Sequence, residues 1–405
     1  MLRKLVSLSL AVLMLLGSAS ALAETAELEF FCTKGEVVTV MEEIIKDFTA
    51  ENPDVKISLT SVADAETVLL TRVATNDMPD ISIIWPAEIT YKNLFTEGYI
   101  IDMTDKEFLK NVNPKLLSLT EYNGKQFCLP MTLSSYGIYY RKDIFNKLGL
   151  VEPQTYDELI AVCKTLSENG YDAFALPNKD VGNVAQRFER MMGVMNPTVY
   201  KDFEAIAAGE MKIEDCKAIP AFAQLCLDIL PYSTKDSMGL DYESAMADLV
   251  NGKAAMMFSG TWMLSSMQAS NPDIDVELMA VPSPLYEGLL VPVNVDTSFA
   301  VSTTCKYPEA ALAFVEYLSR TEVAQKYYAV DGNVNMINGV VFDKPQHMDM
   351  KNMMDEGKMF LTMVNFWPAG FREGMRAFAH ALFLDGDVDA FEQAVSDAIA
   401  EYYVK

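Results

Sequence analysis

The chain has 405 residues, enough for two or three domains with cores of their own. Half of the residues are hydrophobic and 22% are charged, which excludes a disordered chain. The 57 acidic and 32 basic residues give a formal charge of −25, which repels polyphosphate and anionic lipid and argues against a nucleic-acid partner.

The first residues read as an address. Arg3 and Lys4 make a basic start, residues 5–16 are almost wholly apolar, and Ala21-Leu22-Ala23 is a small-x-small cleavage site. A signal peptide over 1–23, cleaved near Ala23, is therefore expected, with export to the periplasm or beyond. The apolar run is too short to span a bilayer comfortably. No cysteine stands at the cleavage point, so a lipid anchor is not expected there.

After the leader, strand and helix patterns alternate. Residues 28–31 form a short apolar strand, followed by a turn at Thr33-Lys34-Gly35. Val37, Val40, Met41, Ile44, Ile45 and Phe48 then recur at helical spacing, and Asn52-Pro53 stops that helix. Residues 55–59 alternate as a second strand. Residues 64–76 read as a helix with Val68, Leu69 and Val73 inward. Residues 81–85 are an apolar run typical of a buried parallel strand. This βαβαβ rhythm predicts an α/β fold with a parallel sheet covered by helices.

Leu129-Pro130-Met131 reads as a crossing into a second lobe. Thr155 and Glu158 make a capping box for a helix from Tyr156, with Tyr156, Leu159, Ile160 and Cys163 forming its apolar stripe. A strand begins at Phe299. Pro308 opens a helix whose inner face is Ala311, Phe314, Val315 and Leu318. Two helices around Asp385-Gly386-Asp387 close the chain. Of the six cysteines, Cys32, Cys128, Cys163 and Cys226 occupy apolar slots of strands or helices, so buried thiols are expected. Cys216 with Cys226 is the close pair to check.

The stretch 123–168 carries the most information. It reads Asn123-Gly-Lys-Gln-Phe-Cys-Leu-Pro, then Thr132-Leu-Ser-Ser-Tyr, Gly137-Ile-Tyr-Tyr-Arg, Lys147-Leu-Gly-Leu and Pro153-Gln-Thr-Tyr-Asp-Glu-Leu. Around it stand Asn52-Pro-Asp-Val-Lys-Ile, Met78-Pro-Asp-Ile and Gly98-Tyr-Ile-Ile-Asp-Met. Further on come Asn251-Gly-Lys-Ala-Ala-Met-Met-Phe-Ser-Gly-Thr-Trp262 and Asn365-Phe-Trp367. In this order the segments resemble the extracellular solute-binding proteins of family 1, the sugar-type receptors of ATP-binding-cassette importers. The resemblance runs from about Glu27 to Tyr403. Three positions depart from it: Tyr156 replaces a common Trp, Asn335 a common Pro, and Asn294-Val-Asp-Thr a Gly-rich entry.

What the resemblance implies is a two-lobed periplasmic-binding-protein-like fold of type II, closing by hinge motion around a ligand. The first lobe would be 24–132 with 297–340, and the second 133–296 with 341–405. The ligand would be a carbohydrate, probed by aromatic plates on its C–H faces and by polar side chains on its hydroxyl rim. The partner would be a transmembrane permease, and the receptor itself a monomer. No catalysis, cofactor or metal is expected. Candidate ligand residues lie at strand-to-helix loops, where open α/β sheets bind. They are Lys34, Glu36, Asp64, Glu66, Trp85 and Glu88 in the first lobe and Ser134, Ser135 and Tyr136 at the hinge. The second lobe adds Trp262, Asn294, Asp296, Trp367 and Arg372.

Two other readings share the residues: a receptor for another polar solute such as a polyamine, and a secreted hydrolase using a carboxylate pair. Only two histidines exist, His347 and His380, so histidine-based metal clusters and relays have little support. His380 reads as structural, on a face with Ala377, Phe378 and Ala381. The methionines at 348, 350, 353 and 354 read as packing rather than a copper site. The pairs Tyr139-Tyr140 and Tyr327-Tyr328 read as core.

Overall fold

The computed structural model describes residues 25–368 and 370–403, so the leader expected over 1–23 lies outside it. Twelve strands are described. The first five are β1 (Ala26–Phe31), β2 (Val55–Thr60), β3 (Ile81–Ile84), β4 (Leu129–Pro130) and β5 (Thr132–Arg141). The next four are β6 (Asp172–Phe174), β7 (Ala254–Gly260), β8 (Val276–Met279) and β9 (Val291–Val295). The last three are β10 (Ser298–Val301), β11 (Val334–Asn335) and β12 (Met359–Leu361).

One sheet has the order β2-β1-β3-β10-β4. Its β1 pairs in parallel with β2 and β3, as the alternating sequence rhythm requires, whereas β10 joins antiparallel. The other sheet has the order β12-β9-β5-β7-β6, with β8 and β11 also paired to β5. Nine of the ten residues of β5 are buried, because its start pairs with β9 and β11 and its end with β7 and β8. Gly137 at its centre is needed for closeness: a β-carbon there would collide with the Met279 carbonyl.

The chain passes between the sheets at Met131, between β4 and β5, and at Asp296-Thr297, between β9 and β10. The amide of Met131 donates to the Thr297 carbonyl at 2.8 Å, and the amide of Met336 donates to the Met131 carbonyl at 2.7 Å. The two crossings and the segment just after β11 are thus bonded side by side. Apolar packing follows this division only in part. One buried cluster (Phe31, Leu69, Ile84, Tyr91 and neighbours) lies on one face of the first sheet, and another (Tyr136, Phe188, Phe222, Trp367 and neighbours) in the second lobe. A third runs through both, from Phe30 and Phe299 to Val293 and Met257.

The helices form where expected, with local corrections. The capping box of Thr155 and Glu158 is present on the helix Tyr156–Glu168, but its buried stripe is Leu159, Val162, Cys163 and Leu166. Tyr156 and Ile160 are half-buried; Tyr156 instead donates its hydroxyl to Asp228 at 2.8 Å. Val68 is half-buried beside buried Leu69 and Val73. On the helix Phe371–Asp385 the buried side is Phe371, Met375, Ala379, Leu382 and Phe383. Ala377 and Phe378 are exposed, so His380 does not share a buried face with them. His347 is buried, with Nε2 2.5 Å from the Tyr139 hydroxyl, and Met350 and Met354 are buried near it. Both tyrosine pairs lie in the core.

All six cysteines are buried and free. Burial pushes the thiols of Cys128, Cys163 and Cys226 up to about 12, which leaves them protonated and inert. No helix among the described residues is long and apolar enough to cross a membrane.

Candidate functional site

The parallel strands β1, β2 and β3 end on one edge of the first sheet, and the loops after them carry Lys34, Asp64, Glu66, Trp85 and Glu88. Two of these loops face the second lobe across a cavity of about 440 Å³, in the range of small-ligand clefts. One wall has Asp64, Glu66, Thr67 and Leu70 at the start of the helix Ala65–Ala74, and Glu88, Ile89 and Thr90 at the start of the helix Ile89–Thr96. The other wall has Val364, Trp367, Pro368, Gly370 and Arg372.

The electrostatics of this cavity are unbalanced across the gap. Carboxylates gather on the first lobe and a guanidinium sits on the second. Burial, and then the charge of Glu66, pushes the Glu88 carboxyl up to about 8, with Arg372 pulling the other way. A carboxyl of that kind can donate as well as accept a hydrogen bond near neutral pH. Arg372 Nε lies 2.8 Å from Glu189 Oε2, and Glu189 also pairs with its neighbour Arg190. Arg190 in turn lies over the Tyr136 ring (5.0 Å) and the Trp262 ring (5.6 Å).

Trp262 is half-buried, and its Nε1 donates to the Tyr242 hydroxyl at 3.0 Å. The indole packs on Gly260, where any β-carbon would collide with it. Tyr136 is buried 6.1 Å from it, ring to ring. Ser134 and Ser135 are buried in β5; the Ser135 amide donates to Thr261 Oγ1 at 3.3 Å, while its own hydroxyl has no partner.

Lys34 and Asp296 stand differently from the expectation. Lys34 is only 6% exposed, and its ammonium is 2.6 Å from Asp296 and 2.8 Å from Asp331. Burial alone would pull it down, but Asp296 and then the other nearby acids hold it well above its usual value. Asp296 also accepts from Asn333 Nδ2 (3.0 Å) and from Trp85 Nε1 (3.2 Å). Asn333 is bonded onward to Thr261 of the second lobe. The network ties the first lobe to the crossings and engages both charged groups within the protein. Trp85 is half-buried, with its indole N–H fixed by Asp296 and its ring 5.9 Å from Tyr91. Glu36 is exposed, 3.8 Å from Lys34. Asn294 is buried and accepts from Asn365 Nδ2 at 2.9 Å, behind the cavity wall.

Trp367 is the clearest correction. It is 1% exposed and wedged among Phe188, Phe203 and Phe371, with centroids 5.4, 6.4 and 5.0 Å away. Its loop position suggests an open plate, but Phe188 of the helix Val181–Met195 packs on the ring, although Trp367 still lines the cavity. Glu189 and Arg190 were not legible as site residues. They lie inside a helical pattern whose last twelve residues, apart from half-buried Gln186, are all buried, so no periodic signal separates them from core positions.

The sequence matches the family model of the bacterial extracellular solute-binding protein over residues 34–325, more than half of its length. The chain belongs to that family. Among relatives of this solute-binding protein is the multiple sugar-binding protein of Streptococcus mutans, 29% identical over 78% of this chain and 76% of the relative. The maltotriose-binding protein of Pyrococcus abyssi is 24% identical over 75% of this chain and 65% of its own. The solute-binding protein RafE in complex with raffinose is 26% identical, with a TM-score of 0.84 over 94% of this chain and 100% of that one. A Bacillus licheniformis sugar transporter protein in complex with stachyose shares the fold (20% identity, TM-score 0.74, 93% and 99% covered). The two-lobed α/β architecture of type II is common to these structures and to this solute-binding protein.

Proposed function

We propose that this chain is the exported receptor of an ATP-binding-cassette importer, holding a carbohydrate, an oligosaccharide, between its lobes and passing it unchanged to a membrane permease. The observation that carries the reading is the cavity of about 440 Å³ between the lobes, in a chain that matches raffinose-bound RafE along nearly all of its length. Carboxylates and a guanidinium line that cavity, groups suited to the hydroxyl rim of a sugar, and Trp367 is the aromatic residue on its wall. Lobe division at Met131 and Asp296-Thr297, a monomeric state and a leader ending near Ala23 belong to the same proposal.

The acidic wall of Asp64, Glu66 and Glu88 favours a second reading, a polyamine receptor. Calorimetric titration with raffinose, stachyose, maltotriose and spermidine separates the two. Saturable binding of a sugar, with the sugar recovered intact, is the expected result. Binding of spermidine alone would replace the first reading by the second, and release of a hydrolysed sugar would discard both.

A further inference from the structure

The helix Ile89–Thr96 starts at the cavity wall with Glu88 and buries Tyr91, Leu94 and Phe95 in the first lobe. Lys92 leaves that helix on another side. Its ammonium donates to the main-chain carbonyl of Asn365, in the second lobe, at 2.9 Å. It also stands 5.9 Å from the centroid of Phe366, which is stacked on Tyr200 at 4.0 Å and 8°. Both partners belong to the second lobe, and Lys92 belongs to the first.

The receiving turn is braced against the hinge. Asn365 Nδ2 donates to Asn294 Oδ1 at 2.9 Å, to the Thr362 carbonyl at 2.9 Å and to Thr362 Oγ1 at 3.2 Å. Asn294 lies in β9, which runs into the crossing at Asp296. A movement that opens the cavity breaks the hydrogen bond and the cation–ring contact together, and neither lobe can keep them alone. Lys92 does not line the cavity. Burial lowers its ammonium, with Glu88 opposing, as expected for a cation held between two surfaces.

We propose that Lys92 is a positioning residue: a clasp from the first lobe onto the Asn365 carbonyl and the Phe366 ring that sets the affinity of the cleft by favouring its closed form. The clasp adds to closure without touching ligand, so it moves the open–closed balance before any guest arrives. The binding arm of its test rests on the carbohydrate reading, and the shape arm does not.

Small-angle scattering of the ligand-free protein and raffinose binding kinetics are measured for the natural chain, Lys92→Met, Lys92→Arg and Phe366→Leu. Lys92→Met keeps the aliphatic stem and should show a larger radius of gyration without sugar. It should release raffinose about tenfold faster, with association no slower. Lys92→Arg should restore both, and Phe366→Leu should repeat part of the loss from the opposite lobe. An unchanged radius in both Lys92→Met and Phe366→Leu, with natural melting temperatures, overturns the clasp whether or not raffinose binds. A shifted radius in a protein that takes no raffinose supports the clasp and counts against the carbohydrate reading alone.

Discussion

The hinge network and the cleft wall contain similar groups and behave in opposite ways. At the hinge, Lys34, Asp296, Asp331, Asn333 and Trp85 bond to one another within 3.2 Å. In the cleft, Glu66 and Glu88 on one lobe and Arg372 on the other border a cavity. A closed network holds a shape, because losing one member leaves a buried charge without its counter-charge. In the cleft Arg372 is itself paired, to Glu189 at 2.8 Å, but these groups border a cavity rather than one another alone, which leaves room for a guest. Charge content therefore does not separate a receptor's scaffold from its cleft; a cavity beside the charged groups does.

The largest expected effect comes from breaking the closed side. Lys34→Met leaves Asp296 and Asp331 facing each other and should lower stability by about 3–5 kcal/mol, read from denaturant unfolding. A loss below about 1 kcal/mol would mean the ammonium is not the keystone of that network.

Next, Trp262→Ala should weaken sugar binding by about ten- to a hundredfold, because it removes a half-buried aromatic face. Melting temperature should fall less than for Lys34→Met. Calorimetry with raffinose checks this, and equal affinity in the variant would remove Trp262 from the sugar-binding residues.

A third effect is one of pH. The Glu88 carboxyl sits at about 8 in the folded chain against an ordinary 4.5, so the native state holds an extra proton between those values. Stability should then decrease as pH rises through that window. Glu88→Gln should flatten this part of the profile, measured as melting temperature from pH 5 to 9. Parallel profiles for the two proteins would assign the slope to other groups.

Local rules made the scaffold legible. The βαβαβ start, the stop at Asn52-Pro53, the capping box at Thr155 and the crossing at Leu129-Pro130-Met131 all rest on neighbours in sequence. The order of their motifs made the family legible as well. The state of each site residue was not legible, because burial is decided by chain segments far away. Trp262 follows the strand β7 and Trp367 the turn at Met363–Asn365, and both stand between regular elements. The helix Val181–Met195 packs Phe188 on Trp367, and nothing near position 367 announces that helix. Lys34 looks like a free loop cation until Asp296 and Asp331 arrive, 262 and 297 positions along the chain.

The unpaired, entombed sulfurs have a practical outcome. A protein of an exported family built this way owes nothing to an oxidising compartment, so it can be made in an ordinary bacterial cytosol without reshuffled bridges. Native thiols that neither face solvent nor ionise leave maleimide dyes nothing to attack. One cysteine placed on each lobe's outer surface would then be the sole labelling points, turning the molecule into a distance ruler for its own opening and shutting.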